Sequence, residues 1–353
     1  MKAYQAAGLD VEVFAVGPNA KATQYEYDGV TVRIGDVPDY AEHLRRNDFA
    51  RILVHFAHPY MIEPIREVRP KTPIIVWVHG FESEAWHRRW FNLVDDPAAI
   101  RRTLHDREHR FAKQLAFLNW LFTTDELDVT VVQVSAWFRD HVSEPDVGAR
   151  ARKSVVIPNV IDTDLFPHHP KDASQRHRLL AIRPYASYKY ANDLTVAAIL
   201  ELSKRDFFDE LEIDLYGDGP LRERIQAPLA TFDNVHIHPH FLPQSEIPAV
   251  HRNHGVFLTP TRFDSQGVSM CEAMSSGLVP IATNIAAIPE YVTHEETGLL
   301  GGPESATDIA DAVEYLHRNP ERFTQLSAAA AESIRRQCGP QATIDAELEL
   351  ITA

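Results

Sequence analysis

Short runs of aliphatic and β-branched residues alternate along the chain with stretches whose apolar side chains recur every three or four positions. The runs fall at 11–16, 51–56, 73–78, 130–134 and 154–157, then at 179–182, 212–216, 235–238, 255–259 and 279–283. Helical patterns lie between them, among others at 39–47, 61–68 and 135–142. Near-continuous apolar runs of strand length describe strands buried on both faces, and their alternation with helices describes parallel sheets covered on each side. The pattern predicts an α/β fold with two Rossmann-like halves. No period of ~20–50 residues repeats, which argues against a solenoid or propeller.

The length of 353 residues fits two domains. Pro158, Pro167 and Pro170 punctuate the stretch 159–178, and 168–175 reads as a polar linker. The boundary is therefore drawn between 1–165 and 166–339. His168 and His169 invite a metal site, but on an exposed linker they read as solvated side chains. The beginning is unusual for this architecture. Residues 2–7 look like the end of a helix, Gly8 its C-cap and 11–16 a second strand. The first strand and its glycine turn are expected to be absent, as in a piece of a longer polypeptide.

Composition narrows the partners. With 35 Lys and Arg against 50 Asp and Glu, the net charge is −15. A phosphate-backbone binder normally carries a basic excess, so no nucleic acid partner is expected. Cys271 and Cys338 lie in unrelated segments and form no CxxC, so neither a disulfide framework nor a zinc motif is expected. They fit a reducing compartment. No apolar run approaches the ~18 residues of a membrane span. The start of the chain has no apolar signal core, and the expected location is cytoplasmic.

Candidate chemistry concentrates in 259–280. A strand should feed a polar loop, and a helix should run from about Val268 to a C-cap at Gly277. The N–H groups of Gly267, Val268 and Ser269 would then offer an anion site at the helix start. Asp264 and Glu272 can reach one ligand at different points. In a generic strand–loop–helix, Asp264 would instead cap the helix and Glu272 would serve its dipole. Arg183 and Lys189 follow the first strand of the second half, at the carboxyl end where open α/β sheets bind ligands. A planar fork and a point charge suit a diphosphate, though a surface pair would look the same. Gly217 opens the tight turn Gly217-Asp218-Gly219-Pro220, an ordinary βα turn or a place of close ligand approach. His79 ends an apolar strand of the first half and has either a structural or a functional role.

In this order, the segments resemble the GT-B glycosyltransferases of the retaining family 4 type. RFDSQGVSMCEAMSSGLVP resembles that family's E-x7-E motif, with Asp264 in place of the first Glu. GDGP, VIPNVIDTDLF, the Arg183/Lys189 pair and TNIAAIPEYV…ETGLL match its ordering. The resemblance is strong over about 155–302 and weak over 1–150.

The resemblance implies two Rossmann-like domains facing a central cleft, with a final helix at about 340–353 packing back on the first. Arg183 and Lys189 would hold the diphosphate of a nucleotide-sugar donor, and Glu272 would accept the ribose hydroxyls. Asp264 would contact the sugar. Gln266, Gly267, Val268 and Ser269 would line the phosphate and sugar. Gly217, Phe241 and Leu242, with Pro243, would lie at the nucleoside. His79 would contact the donor sugar.

The implied reaction is front-face, retaining transfer of a hexosyl group to a glycan or lipid-linked glycan in cell-surface polysaccharide synthesis. No cofactor and no metal are expected. The basic, aromatic stretch 86–113 suggests peripheral contact with the inner face of a membrane. Its plainer reading is a solvated loop and an amphipathic helix, with Phe111, Leu115 and Leu118 facing the core. Two other readings compete: a non-catalytic nucleotide- or sugar-binding module of a larger protein, and a nucleotide-sugar epimerase, which would need a fuller acid/base set.

Overall fold

The apolar runs become strands close to where the pattern puts them. The structure is a computed structural model that describes residues 1–93 and 96–353. The chain divides into two units. The first comprises Met1–Arg88, Arg101–Ile157 and Ile344–Ala353, and the second Arg89–Ile100 and Pro158–Thr343.

The first unit holds β1 (Glu12–Val16), β2 (Thr23–Tyr27), β3 (Val30–Gly35), β4 (Ile52–His55), β5 (Ile74–Val78), β6 (Val129–Gln133) and β7 (Ser154–Val156). They form two sheets, ordered β1-β3-β2 and β4-β5-β6-β7. The four-stranded sheet is parallel throughout. Strand β5 is buried at every residue, which explains its unbroken apolar sequence. β2 pairs antiparallel with β3. Its exposed sequence, TQYEY, carries no apolar run, so periodicity misses it. The turn is nonetheless local chemistry: Asp28 and Gly29 both adopt positive φ (54° and 79°), as a two-residue Asp-Gly hairpin turn requires. The helix Pro340–Thr352 ends within this unit. Ala346, Leu350 and Ile351 pack against the core of Ile75, Trp77, Val132 and Ile157. Tyr4 donates to Glu347, and Arg51 to the carbonyl of Ile351.

Within 86–113, a turn at Trp86–Asn92 precedes the helix Pro97–Asp106, a wide turn at Arg107–Phe111 and the helix Ala112–Thr123. Val94 and Asp95, which fall inside this stretch, lie outside the described residues. Leu118 is fully buried, Phe111 and Leu115 are half-buried, and Trp90, Ile100 and Leu104 are exposed. Among the described residues, no helix is long and apolar enough to cross a membrane.

The second unit is one parallel sheet of β8 (Arg178–Ile182), β9 (Glu212–Tyr216), β10 (Val235–His238), β11 (Val256–Thr259), β12 (Val279–Thr283) and β13 (Leu299–Gly301). The order is β10-β9-β8-β11-β12-β13. Chain order therefore reverses between β8 and β11. In an open α/β sheet the crevice at that point, outside the strands' carboxyl ends, is where ligands bind. In the stretch read as a polar linker, His168, Asp172 and Ser174 are exposed, but Lys171 is buried and its ammonium donates to the carbonyl of His251 at 2.6 Å. A long aliphatic stem with a satisfied charge can be buried where sequence polarity suggests exposure.

Candidate active site

Three loops at the carboxyl edge of the second sheet carry most of the candidate residues. Arg183 stands immediately after β8, with its backbone N–H on the carbonyl of Tyr216 at the end of β9. Its guanidinium donates to Thr259 Oγ1 at the end of β11 and lies 3.9 Å from Asp264 Oδ2. Tyr190 covers it at 5.7 Å. Only 6% of Arg183 is exposed, and its buried Nε has no hydrogen-bond partner. Loss of water pulls its pKa down and Asp264 opposes the shift, so a guanidinium stays charged. Lys189 sits on the turn Tyr188–Tyr190, with Nζ 5.9 Å from the Tyr190 ring and 5.5 Å from that of Phe263. The Lys189 carbonyl accepts from Arg262 N–H and Thr261 Oγ1, which sews this turn to the loop after β11. Arg262 is occupied differently, held by Asp193 at 2.8 Å and Glu304 at 2.6 Å.

The helix Val268–Ser275 begins as expected, with Gly267 as its N-cap. Gly267 has φ +82°, and a Cβ there would meet Ile288 at 3.1 Å. Asp264 Oδ1 accepts the Gly267 N–H at 2.9 Å and that of Gln266 at 3.3 Å. Asp264 thus performs the capping role, and the Gly267 N–H is turned inward rather than toward a ligand. The first intrahelical bond runs from Cys271 N–H to Gly267 O, which leaves Val268 and Ser269 among the helix-start donors. Gln266 is 1% exposed. Its carbonyl oxygen accepts twice from Asn159, and its amide donates to Asn159 O and Cys338 Sγ. That side chain has no capacity left for a donor molecule.

Glu272 is half-buried on the same helix. Burial pushes its carboxyl up to about 7, and a hydrogen bond with Gln244 opposes the shift. Gln244 follows Phe241 and Leu242 on the loop after β10; Phe241 is 62% exposed and Leu242 half-buried. Gly217 has φ +136°, and a Cβ there would lie 1.9 Å from the carbonyl oxygen of Arg183. Its close approach is therefore to backbone, and it holds the Arg183 loop against the end of β9.

His79 lies in the first unit, just beyond β5. Its Nε2 is 2.9 Å from His55 Nδ1, and Phe56 and His55 flank the ring. The buried carboxylate of Glu82 accepts the backbone N–H groups of His79 and Gly80. Desolvation and the facing His79 push His55 down to about 4, so its imidazole is neutral at pH 7.

Sequence reasoning missed Thr259, Tyr190, Phe263, Gln244, Glu82 and His55. Tyr190 and Phe263 adjoin the residues singled out, so an aromatic-next-to-cation rule would have found them. Thr259, Gln244 and His55 carry no local signal. The two cysteines also meet: burial and a thiol–thiol hydrogen bond between Cys271 and Cys338 keep the Cys271 thiol far up.

Two Rossmann-like units, the second with cations and a helix start at its switch point, define a GT-B α/β protein. Residues 176–319 match the family model described as "Glycosyl transferases group 1". The chain is 29% identical over 200 residues to a GDP-mannose-dependent alpha-(1-6)-phosphatidylinositol monomannoside mannosyltransferase of Mycobacterium tuberculosis, covering 51% of each chain. It is also 29% identical over 352 residues to a D-inositol 3-phosphate glycosyltransferase of Pseudarthrobacter chlorophenolicus, covering 92% of this chain and 81% of that protein. The chain spans about half the length of the mycobacterial relative. Among solved structures, the sucrose-phosphate synthase of Thermosynechococcus elongatus superposes with a TM-score of 0.75 at 17% identity. That likeness covers 99% of this chain and 90% of the synthase, and it is a likeness of fold.

Proposed function

We propose that the second unit holds the diphosphate of a nucleotide sugar, and that the chain is a retaining, metal-independent glycosyltransferase of hexosyl type. The observation that carries this reading is the buried Arg183, whose Nε has no protein partner. It stands with Lys189 and the Val268–Ser269 helix start at one switch point. A diphosphate would supply the acceptors that these donors lack.

Transfer breaks the bond between the anomeric carbon and the diphosphate oxygen. The acceptor hydroxyl forms the new bond on the same face, and its proton passes to the departing phosphate. Negative charge grows on that phosphate, and preorganised cations and N–H dipoles stabilise it. Glu272 would take the ribose hydroxyls, and the free side of Asp264 the sugar. His79 is assigned a part in the transfer by the family resemblance. The acceptor would be a glycan or lipid-linked glycan of the cell surface, reached at the cytoplasmic face of a membrane with 86–113 as the contact.

The test is nucleotide release from a panel of GDP- and UDP-sugars, headed by GDP-mannose because the mycobacterial relative is named for it. Release that persists with a chelator present is expected. Nucleotide binding without release, by this chain and by any longer parent, would replace the enzyme with a binding module.

A further inference from the structure

We propose that His177, Glu210 and His317 bind a divalent transition-metal ion of the zinc class, at the end of the second unit opposite the diphosphate site. The three come from separate elements. His177 ends the turn Ala173–His177 that leads into β8, Glu210 ends the turn Phe208–Glu210 that leads to β9, and His317 lies in the last turn of the helix Ala306–Arg318. Both turns sit at the amino ends of their strands. Arg183 and Gly217 follow the carboxyl ends, so the five residues of β8 separate the two places, about 16 Å at 3.3 Å per residue. The site is structural and has no part in the transfer.

One ligand atom from each residue lies within 4.8 Å of the other two. His177 Nε2 and His317 Nδ1 are both buried and both without a hydrogen-bond partner. Two buried imidazole nitrogens with nothing to bond are costly unless a shared group fills the space between them. The rings are already placed for it. Their centroids are 4.9 Å apart, against roughly 5 Å for two imidazoles on one tetrahedral ion at ~2.0–2.1 Å per bond.

The surroundings hold both rings in position. His317 stacks on the buried Phe207 at 4.1 Å, and its carbonyl accepts from Arg176 Nε, which ties the turn bearing His177 to the helix end. Glu210 is exposed, so its carboxylate can swing in to close the triangle. The charges facing the cluster nearly balance. Arg176 and Arg318 stand against Glu210 and Asp206, and Arg318 is itself paired with Asp206 and Glu314. Two imidazoles and one carboxylate favour zinc-like ions over magnesium or calcium, which prefer all-oxygen sites.

No spacing motif announces this site, because its ligands are far apart in sequence and the sequence reading expected no metal. The test is zinc chloride titrated into the metal-free full chain, followed by calorimetry and by thermal melting. One ion per chain and a concentration-dependent rise in melting temperature are expected, with no rise from magnesium. The His177→Ala/His317→Ala double variant is expected to bind at least about tenfold more weakly and to lose the rise. Glu210→Gln, at an exposed position that leaves the fold untouched, should weaken binding on its own. An absence of zinc-dependent stabilisation, or wild-type binding by Glu210→Gln and the double variant together, would overturn the proposal.

Discussion

A guanidinium that is 6% exposed, with one donor unused, stands where the fold would otherwise gain by an apolar residue. Its placement makes sense as preparation for an anion. Lys189 is the easier member to test, because its charge rests on aromatic rings and not in an ion pair. Lys189→Ala should lower the rate of nucleotide release by about 10²–10³-fold, the scale for removing one charge-stabilising donor. The circular dichroism spectrum should be unchanged; a rate near wild type would remove Lys189 from the site.

Glu272 makes a pH-dependent prediction. With a folded pKa of about 7 and an ordinary value of 4.5, it is the ionised form that burial penalises. As pH rises from 4.5 through 7, the unfolded chain loses this proton before the folded one does, so stability falls across that window. Glu272→Gln should therefore melt higher than wild type at pH 8, with the difference shrinking toward pH 5. Nucleotide release should move the other way. In wild type it should rise through an apparent pKa near 7 as the carboxylate forms, and in Glu272→Gln that step should vanish. Thermal melts and release rates across pH check both signs.

At the scale of elements, the loop and helix 259–277 were legible because their signals are local: a strand, a cap, a glycine at positive φ and a C-terminal glycine. The use of each donor was not, since it depends on which group folds against it. Asp264 takes the N–H of Gly267, and Asn159 and Cys338 together take all of Gln266. The two glycines separate a local requirement from a tertiary one. Gly267→Ala meets a positive φ and the movable end of Ile288, and should cost about 1 kcal/mol. Gly217→Ala would drive a methyl into the Arg183 carbonyl and should cost about 3 kcal/mol or more. Urea denaturation of both variants checks the order, and equal midpoints would show that the β8 and β9 loops can part freely.

Across the whole molecule, the chain's last ten residues belong with its first unit, where Leu350 and Ile351 lie against Ile75 and Trp77. Replacing both with Ala should destabilise that unit by about 2 kcal/mol. Faster hydrogen exchange in β5 and β6, with β8 and β11 unchanged, would report it. The sequence by itself determined the alternation of strand and helix, the doubly wound plan, and the loop and helix that bear Asp264, Gly267 and Glu272. All of these follow from periodicity, turn chemistry and capping within a few residues. Only the tertiary structure decided that Arg183 is buried with a donor to spare, that Gly217 lies against the Arg183 backbone, and that Cys271 meets Cys338. It also brought His177, Glu210 and His317 together. Such pairings are made by packing between segments far apart in the chain, where no local pattern records which side chain will face which.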